Sequence, residues 1–126
     1  MPKGSPVDKG RAHVIAHTLK RRVESMGEFA SPRSWILAAE SFGMDVYALK
    51  GEGVGYYHAG KVFYNRRGDA QTVCRRLCHE IAHGLIAEWA DSQSRMALEY
   101  YDGGGRQSRE HRLACEVEAL LFGELS

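Results

Sequence analysis

Residues 75–89 read RRLCHEIAHGLIAEW, and treating this stretch as a helix decides how the rest of the chain is read. Helical residues step about 100° around the axis. With His79 at zero, His83 falls near 40°, Arg76 near 60° and Glu80 near 100°. Cys74, Leu77, Cys78, Ile81, Leu85 and Trp89 lie on the other side, an apolar stripe of the kind that packs on a core. One face of a single helix is kept for two histidines and a glutamate in the spacing H-E-x-x-H.

The spacing has a chemical reason. Imidazoles at i and i+4 project side by side and can both ligate one zinc ion. Glu80 is offset, so it reaches a water on the metal instead of the metal. Zinc lowers the pKa of such a water from 15.7 to about 7, and a carboxylate can then take its proton during attack on a carbonyl. The competing reading is a solvated polar face, because a motif is a hypothesis until its context agrees. His13-Val-Ile-Ala-His17 shows the contrast. It has the histidine spacing without the glutamate, in apolar and basic surroundings, and reads as a plain amphipathic helix.

A zinc site of this kind needs a third protein ligand. Metzincin-like sites extend the motif to H-E-x-x-H-x-x-G-x-x-H, but the position six past His83 is Trp89, which excludes that class. Another arrangement takes a glutamate from a second helix. The segment Arg112–Leu125, RLACEVEALLFGEL, offers Glu116, Glu118 and Glu124. With Glu118 at zero, His111, Ala114, Cys115, Leu121, Phe122 and Leu125 all fall within about 60° of it, whereas Glu116 sits near 160° with Arg112 and Gly123. Glu118 is therefore a carboxylate within an apolar face, and burying one without a partner costs several kcal/mol or forces its protonation. Zinc would be that partner, which makes Glu118 the expected third ligand. An internal salt bridge to Arg75 or Arg76 is the alternative. Cys115, about 60° away, is a weaker alternative ligand.

Hydrolysis also needs a donor to a developing oxyanion. Tyr100, Tyr101, Arg109 and His111 surround the glycine-rich Asp102–Gly105, and His111 is favoured because it shares the face of Glu118. Cys74 and Cys78 point into the apolar stripe and read as small core residues.

Outward from these helices the chain is organised simply. Residues 1–8 read as a loose tail. Val14, Ile15, Leu19 and Val23 mark a helix over residues 9–26, stopped by Gly27. Ser31-Pro32 opens a second, carrying Trp35, Ile36, Ala39 and Phe42 and ended by Gly43. Asp45–Leu49, Val54–His58 and Lys61–Asn65 are short, aromatic and β-branched, as strands are, and Ala59-Gly60 fits a hairpin turn. Asp69 can cap the H-E-x-x-H helix, which runs to about Ala90. A last helix spans about 108–125. The expected fold is α+β: two helices, a small antiparallel or mixed sheet of about three strands, then two site-bearing helices, in one domain over 1–126.

At this point the chain resembles the ImmA/IrrE type of small zinc metallopeptidases. Glycine and tyrosine stand in the strand Gly55-Tyr56-Tyr57, followed by Lys61–Asn65, then H-E-x-x-H, then Glu116-Val-Glu118-Ala119-Leu-Leu-Phe122. The likeness covers about residues 32–125. It implies a gluzincin-like site with His79, His83 and Glu118 on zinc and Glu80 as base. The chain departs from the pattern at Leu120, where a polar residue often follows the alanine, and in lacking a proline after the terminal leucines.

Composition sets the remaining bounds. The 126 residues carry a net charge of +1, which gives no overall bias toward nucleic acid or membranes. Residues 1–34 are locally basic, and Lys20-Arg21-Arg22 reads as a solvated face before a DNA-binding patch. No apolar run approaches the ~20 residues of a membrane span, no secretory leader is evident, and three cysteines without a C-x-x-C pair suit a reduced cytoplasm. The expected function is zinc-dependent hydrolysis of a peptide substrate, for which the resemblance suggests a regulatory protein such as a transcriptional repressor. The alternative is a zinc-stabilised binding module without turnover. The ligand types favour zinc, although iron, cobalt or manganese can occupy such a set.

Overall fold

The computed structural model describes residues 6–51, 53, 55–89 and 106–123, with the backbone alone at 6–8, 88, 89 and 106–109. The first helix, α1, spans Pro6–Met26 and so begins inside the expected tail. Proline suits a first helical position, where its missing N–H has no helical partner to lose. The buried face of α1 is Ala12, Ile15, Ala16, Leu19 and Val23. Val14 is 55% exposed; the two alanines, not Val14, complete the stripe.

Helix α2 spans Pro32–Ser41. Ser31 takes the extended backbone of an N-cap but its hydroxyl makes no capping bond; the Ser34 N–H donates to the Ser31 carbonyl at 3.0 Å instead. Trp35 is fully buried, and its indole N–H donates to the Phe29 carbonyl at 2.7 Å. Its ring packs beside Phe29 and Phe122, with centroids 5.2–5.4 Å apart. This cluster ties the start of α2 to the end of the last helix.

Three strands follow: β1 Asp45–Ala48, β2 Gly55–His58 and β3 Lys61–Tyr64. Their order is β1-β3-β2, with β1 parallel and β2 antiparallel to β3, so the sheet is mixed. Ala59 (φ 48°) and Gly60 (φ 82°) make the two positive-φ positions of a type I′ hairpin turn. Strand side chains alternate between faces. Val46, Val62, Tyr57 and Tyr64 pack toward the core, while Tyr47, Phe63 and Tyr56 stack in a row on the other face.

Helix α3 spans Ala70–Trp89 and α4 spans Arg106–Phe122. The Asp69 carboxylate accepts the Thr72 N–H at 2.8 Å, which satisfies one of the donors left unpaired at a helix start. Val73, Cys74, Leu77, Cys78, Ile81, Ala82 and Ile86 of α3 join Leu113, Ala114 and Val117 of α4 in the core, together with the α1 and α2 stripes. The α+β arrangement expected from the periodicities is the one the chain adopts. No helix among the described residues is long and apolar enough to cross a membrane.

Candidate metal centre

With one side of α3 committed to the core, His79 and His83 stand on its flank, their side chains 14% and 15% exposed. Their Nε2 atoms face each other at 3.2 Å. Each ring's other nitrogen meets a carboxylate from α4: Nδ1 of His83 lies 2.8 Å from Glu110 Oε1, and Nδ1 of His79 lies 3.3 Å from Glu118 Oε1. An ionised carboxylate only accepts, so it holds the proton on Nδ1 and leaves a lone pair on Nε2. Two lone pairs aimed at each other repel unless a proton or a metal cation lies between them. Nitrogens about 2.0–2.1 Å from one tetrahedral zinc stand roughly 3.3 Å apart. The spacing found here suits such an ion.

Glu118 reaches the pair, but on the side of His79 away from His83. Its second oxygen receives Arg75, with Nε at 2.9 Å and the nearer terminal nitrogen at 2.7 Å. The same guanidinium donates to the carbonyls of Phe122 and Gly123 at 3.2 and 3.0 Å. Of the two arginines considered for an internal ion pair, Arg75 makes it, whereas Arg76 donates to the carbonyls of Asn65 and Arg67. Burial pushes the Glu118 carboxyl upward, yet the bonds from His79 and Arg75 prevail and hold it below the usual glutamate range. On α4 the buried stripe is Leu113, Ala114 and Val117. Glu118 lies at its edge rather than its centre, and Glu116 is exposed.

His111 comes closer to the imidazole pair than its expected role as oxyanion donor required. Its ring centroid is 4.8 Å from that of His79 and 5.7 Å from that of His83. Burial, and then the neighbouring His79 and His83, lower its pKa, with Glu118 opposing. One turn on, Cys115 Sγ lies 3.4 Å from His111 Nε2. The ligand atoms of His79, His111 and Cys115 all fall within 4.8 Å of one another. Burial, and then Glu118, push the Cys115 thiol upward.

Glu80 is only 4% exposed and lines a pocket of about 580 Å³ between β2, α3 and α4. Burial raises its pKa, against the opposing pull of His79 and His83, and Glu118 adds to the rise. His79, His83, Glu110 and His111 line the same pocket, and Tyr56, Tyr57 and His58 of β2 form its far wall. Being last in the order β1-β3-β2, β2 is an edge strand among the described residues. Gly84 brings the wall close: a Cβ there would stand 2.7 Å from Tyr57 Cε1 and from Met44 Cε.

Glu110 was not singled out by sequence, although a signal existed. Glu110, Ala114, Val117 and Leu121 recur at i, i+4, i+7 and i+11, a carboxylate at the head of the buried stripe. Tyr100, Tyr101 and the Asp102–Gly105 loop lie outside the described residues, as does the Arg109 side chain. His13 and His17 are exposed on α1, far from any role in this cluster. Cys74 and Cys78 are buried, and burial pushes the Cys74 thiol up to about 11. No protein-family model matches the chain, and neither a curated protein nor a solved structure matches it.

Proposed function

We propose that this chain is a zinc-dependent peptidase of the H-E-x-x-H class, with His79, His83 and His111 as metal ligands and Glu80 as general base. The observation that carries the reading is the opposed Nε2 pair at 3.2 Å, each ring backed by a carboxylate on Nδ1. That arrangement calls for a shared proton or a metal cation, and the neighbouring donors His111 and Cys115 favour the metal. In this assignment His111 takes the place expected for Glu118. Glu118 and Glu110 instead fix the tautomer and direction of the two imidazoles, as carboxylates behind zinc-ligating histidines do.

When bound there, zinc supplies Lewis acidity to a carbonyl and lowers the pKa of water. Glu80, raised above the usual carboxylate range, is matched to take a proton from the attacking water and return it to the leaving amine. Tyr57 and the edge of β2 bound the space in which an extended peptide lies. A strand edge offers it main-chain hydrogen bonds. The three free cysteines suit a reducing compartment such as the cytoplasm. The resemblance to ImmA/IrrE-type peptidases makes a regulatory protein the expected substrate.

A second reading, a zinc-stabilised binding module without turnover, draws on one observation: Cys115 stands with His79 and His111 in one group of possible ligand atoms. The two readings separate on Glu80→Gln. For a peptidase, the variant keeps one zinc per chain by elemental analysis and loses about 10²–10⁴-fold in cleavage of a peptide library. Equal cleavage by variant and wild type would end the peptidase reading. Zinc bound by both with no cleavage by either leaves the binding module.

A further inference from the structure

The two site helices carry the same device. On α3, His79 and His83 stand at i and i+4; on α4, His111 and Cys115 do. Residues at that spacing share a face one turn apart, and α3 and α4 pack against each other, so the two pairs meet. The result goes beyond a stray thiol near a histidine. Cys115 Sγ lies 3.4 Å from His111 Nε2, and its distance to the His79 ligand atom is within the 4.8 Å that spans the group. His79 in turn faces His83 at 3.2 Å. The ligand atoms of His79, His111 and Cys115 form one group, and His83 adjoins it through His79.

The geometry points to Cys115 as a fourth metal ligand, closing a tetrahedral centre of three imidazoles and one thiolate. This rests on the metal centre proposed above and adds what that proposal leaves open, the occupant of the remaining position. Zinc sites with four protein ligands are closed, whereas those with three keep a position for water. Sulfur therefore holds the fourth position until it is displaced. As it binds, the thiol gives its proton to solvent and no redox change is involved. Cys115 is exposed and makes no part of the core, so its replacement leaves the fold intact.

Cobalt(II) in place of zinc reads the ligand directly. The cobalt-loaded wild-type chain is expected to show a near-ultraviolet thiolate-to-cobalt charge-transfer band, which Cys115→Ser lacks while still binding one cobalt per chain. Chelator competition is expected to show at least about tenfold weaker zinc binding by that variant, the scale on which even supporting groups act. Zinc should also protect Cys115 from iodoacetamide, read by mass spectrometry of the labelled peptide. One metal per chain with no charge-transfer band and unprotected Cys115 overturns the inference and spares the three-histidine centre. Failure of the wild-type chain to bind any stoichiometric metal overturns the centre itself.

Discussion

At the scale of single residues, Glu80 is a carboxylate whose buried environment is at odds with its charge. Its folded-state pKa is raised by burial, so the native metal-free protein binds more protons there than the unfolded chain does. Stability then falls as pH rises from the unfolded pKa through the folded one. Glu80→Gln removes that loss. Thermal melts of the metal-free proteins should give the variant the higher Tm near neutrality and bring the two together in acid; a lower Tm for the variant at pH 7 would contradict the burial argument. Arg75 has the opposite character. It satisfies Glu118 and two carbonyls at the end of α4, all half-buried or at the surface. Arg75→Ala removes those bonds while Glu118 keeps His79, and charge-assisted bonds of this kind put the cost at about 1.5–3 kcal/mol, measurable by urea denaturation. Because the Glu118 pKa is depressed, its contribution is present above the unfolded value and fades as pH falls through the folded one.

At the scale of elements, α3 is constrained at both its start and its middle. The Asp69 carboxyl is held below the usual aspartate range by its bonds with Thr72. Asp69→Ala should lower Tm at neutral pH, and the gap should close as acid protonates the wild-type cap. Gly84 tests packing against propensity. Glycine to alanine in a helix ordinarily gains up to about 1 kcal/mol, but here the new Cβ meets Tyr57 and Met44 at 2.7 Å, and overpacking costs roughly 1–3 kcal/mol. The clash outweighs the gain in helix propensity, so Gly84→Ala should be destabilised by about 1–2 kcal/mol. A stabilised variant would mean that Tyr57 moves aside freely. Tyr57 is held at its far end, where its hydroxyl accepts the Gly60 N–H at 2.9 Å, so a displaced ring also strains the hairpin.

At the scale of the whole molecule, the proposed metal centre would couple binding to folding. An ion that binds only the folded chain adds RT ln(1 + [L]/Kd), about 2.7 kcal/mol at one hundred times Kd. Zinc should raise Tm and a chelator should reverse the rise; a Tm indifferent to both would sever the proposed centre from stability. The core makes a separate prediction for the cysteines. With Cys74 and Cys78 buried and Cys115 exposed, a disulfide reagent at pH 8 should titrate one thiol in the metal-free native protein and three after denaturation. The Cys74 thiol, pushed up to about 11, has little thiolate at that pH.

What depends on local periodicity was legible before any folding. Helix spacing places His79, Glu80 and His83 on one flank of α3, glycines and prolines mark where elements begin and end, and alternation with Ala59-Gly60 marks the hairpin. Each is set by residues within a turn or two of one another, so no distant partner is needed to read it. Val14 shows the limit even here: spacing offered several apolar candidates, and the neighbour that packed chose the alanines instead. Which α4 groups meet the imidazoles depends on how the helices pack. Glu110, His111, Cys115 and Glu118 are spread over two turns, and a wheel ranks them only by guessing the centre of the buried face. That centre lies at Ala114 and Val117, which sit in the core contact with α1 and α3. The rotation follows from that contact. It turns Glu118 to Nδ1 of His79, beside Arg75, and brings His111 and Cys115 to the same ring. Packing between helices sets this angle, and no single helix encodes it.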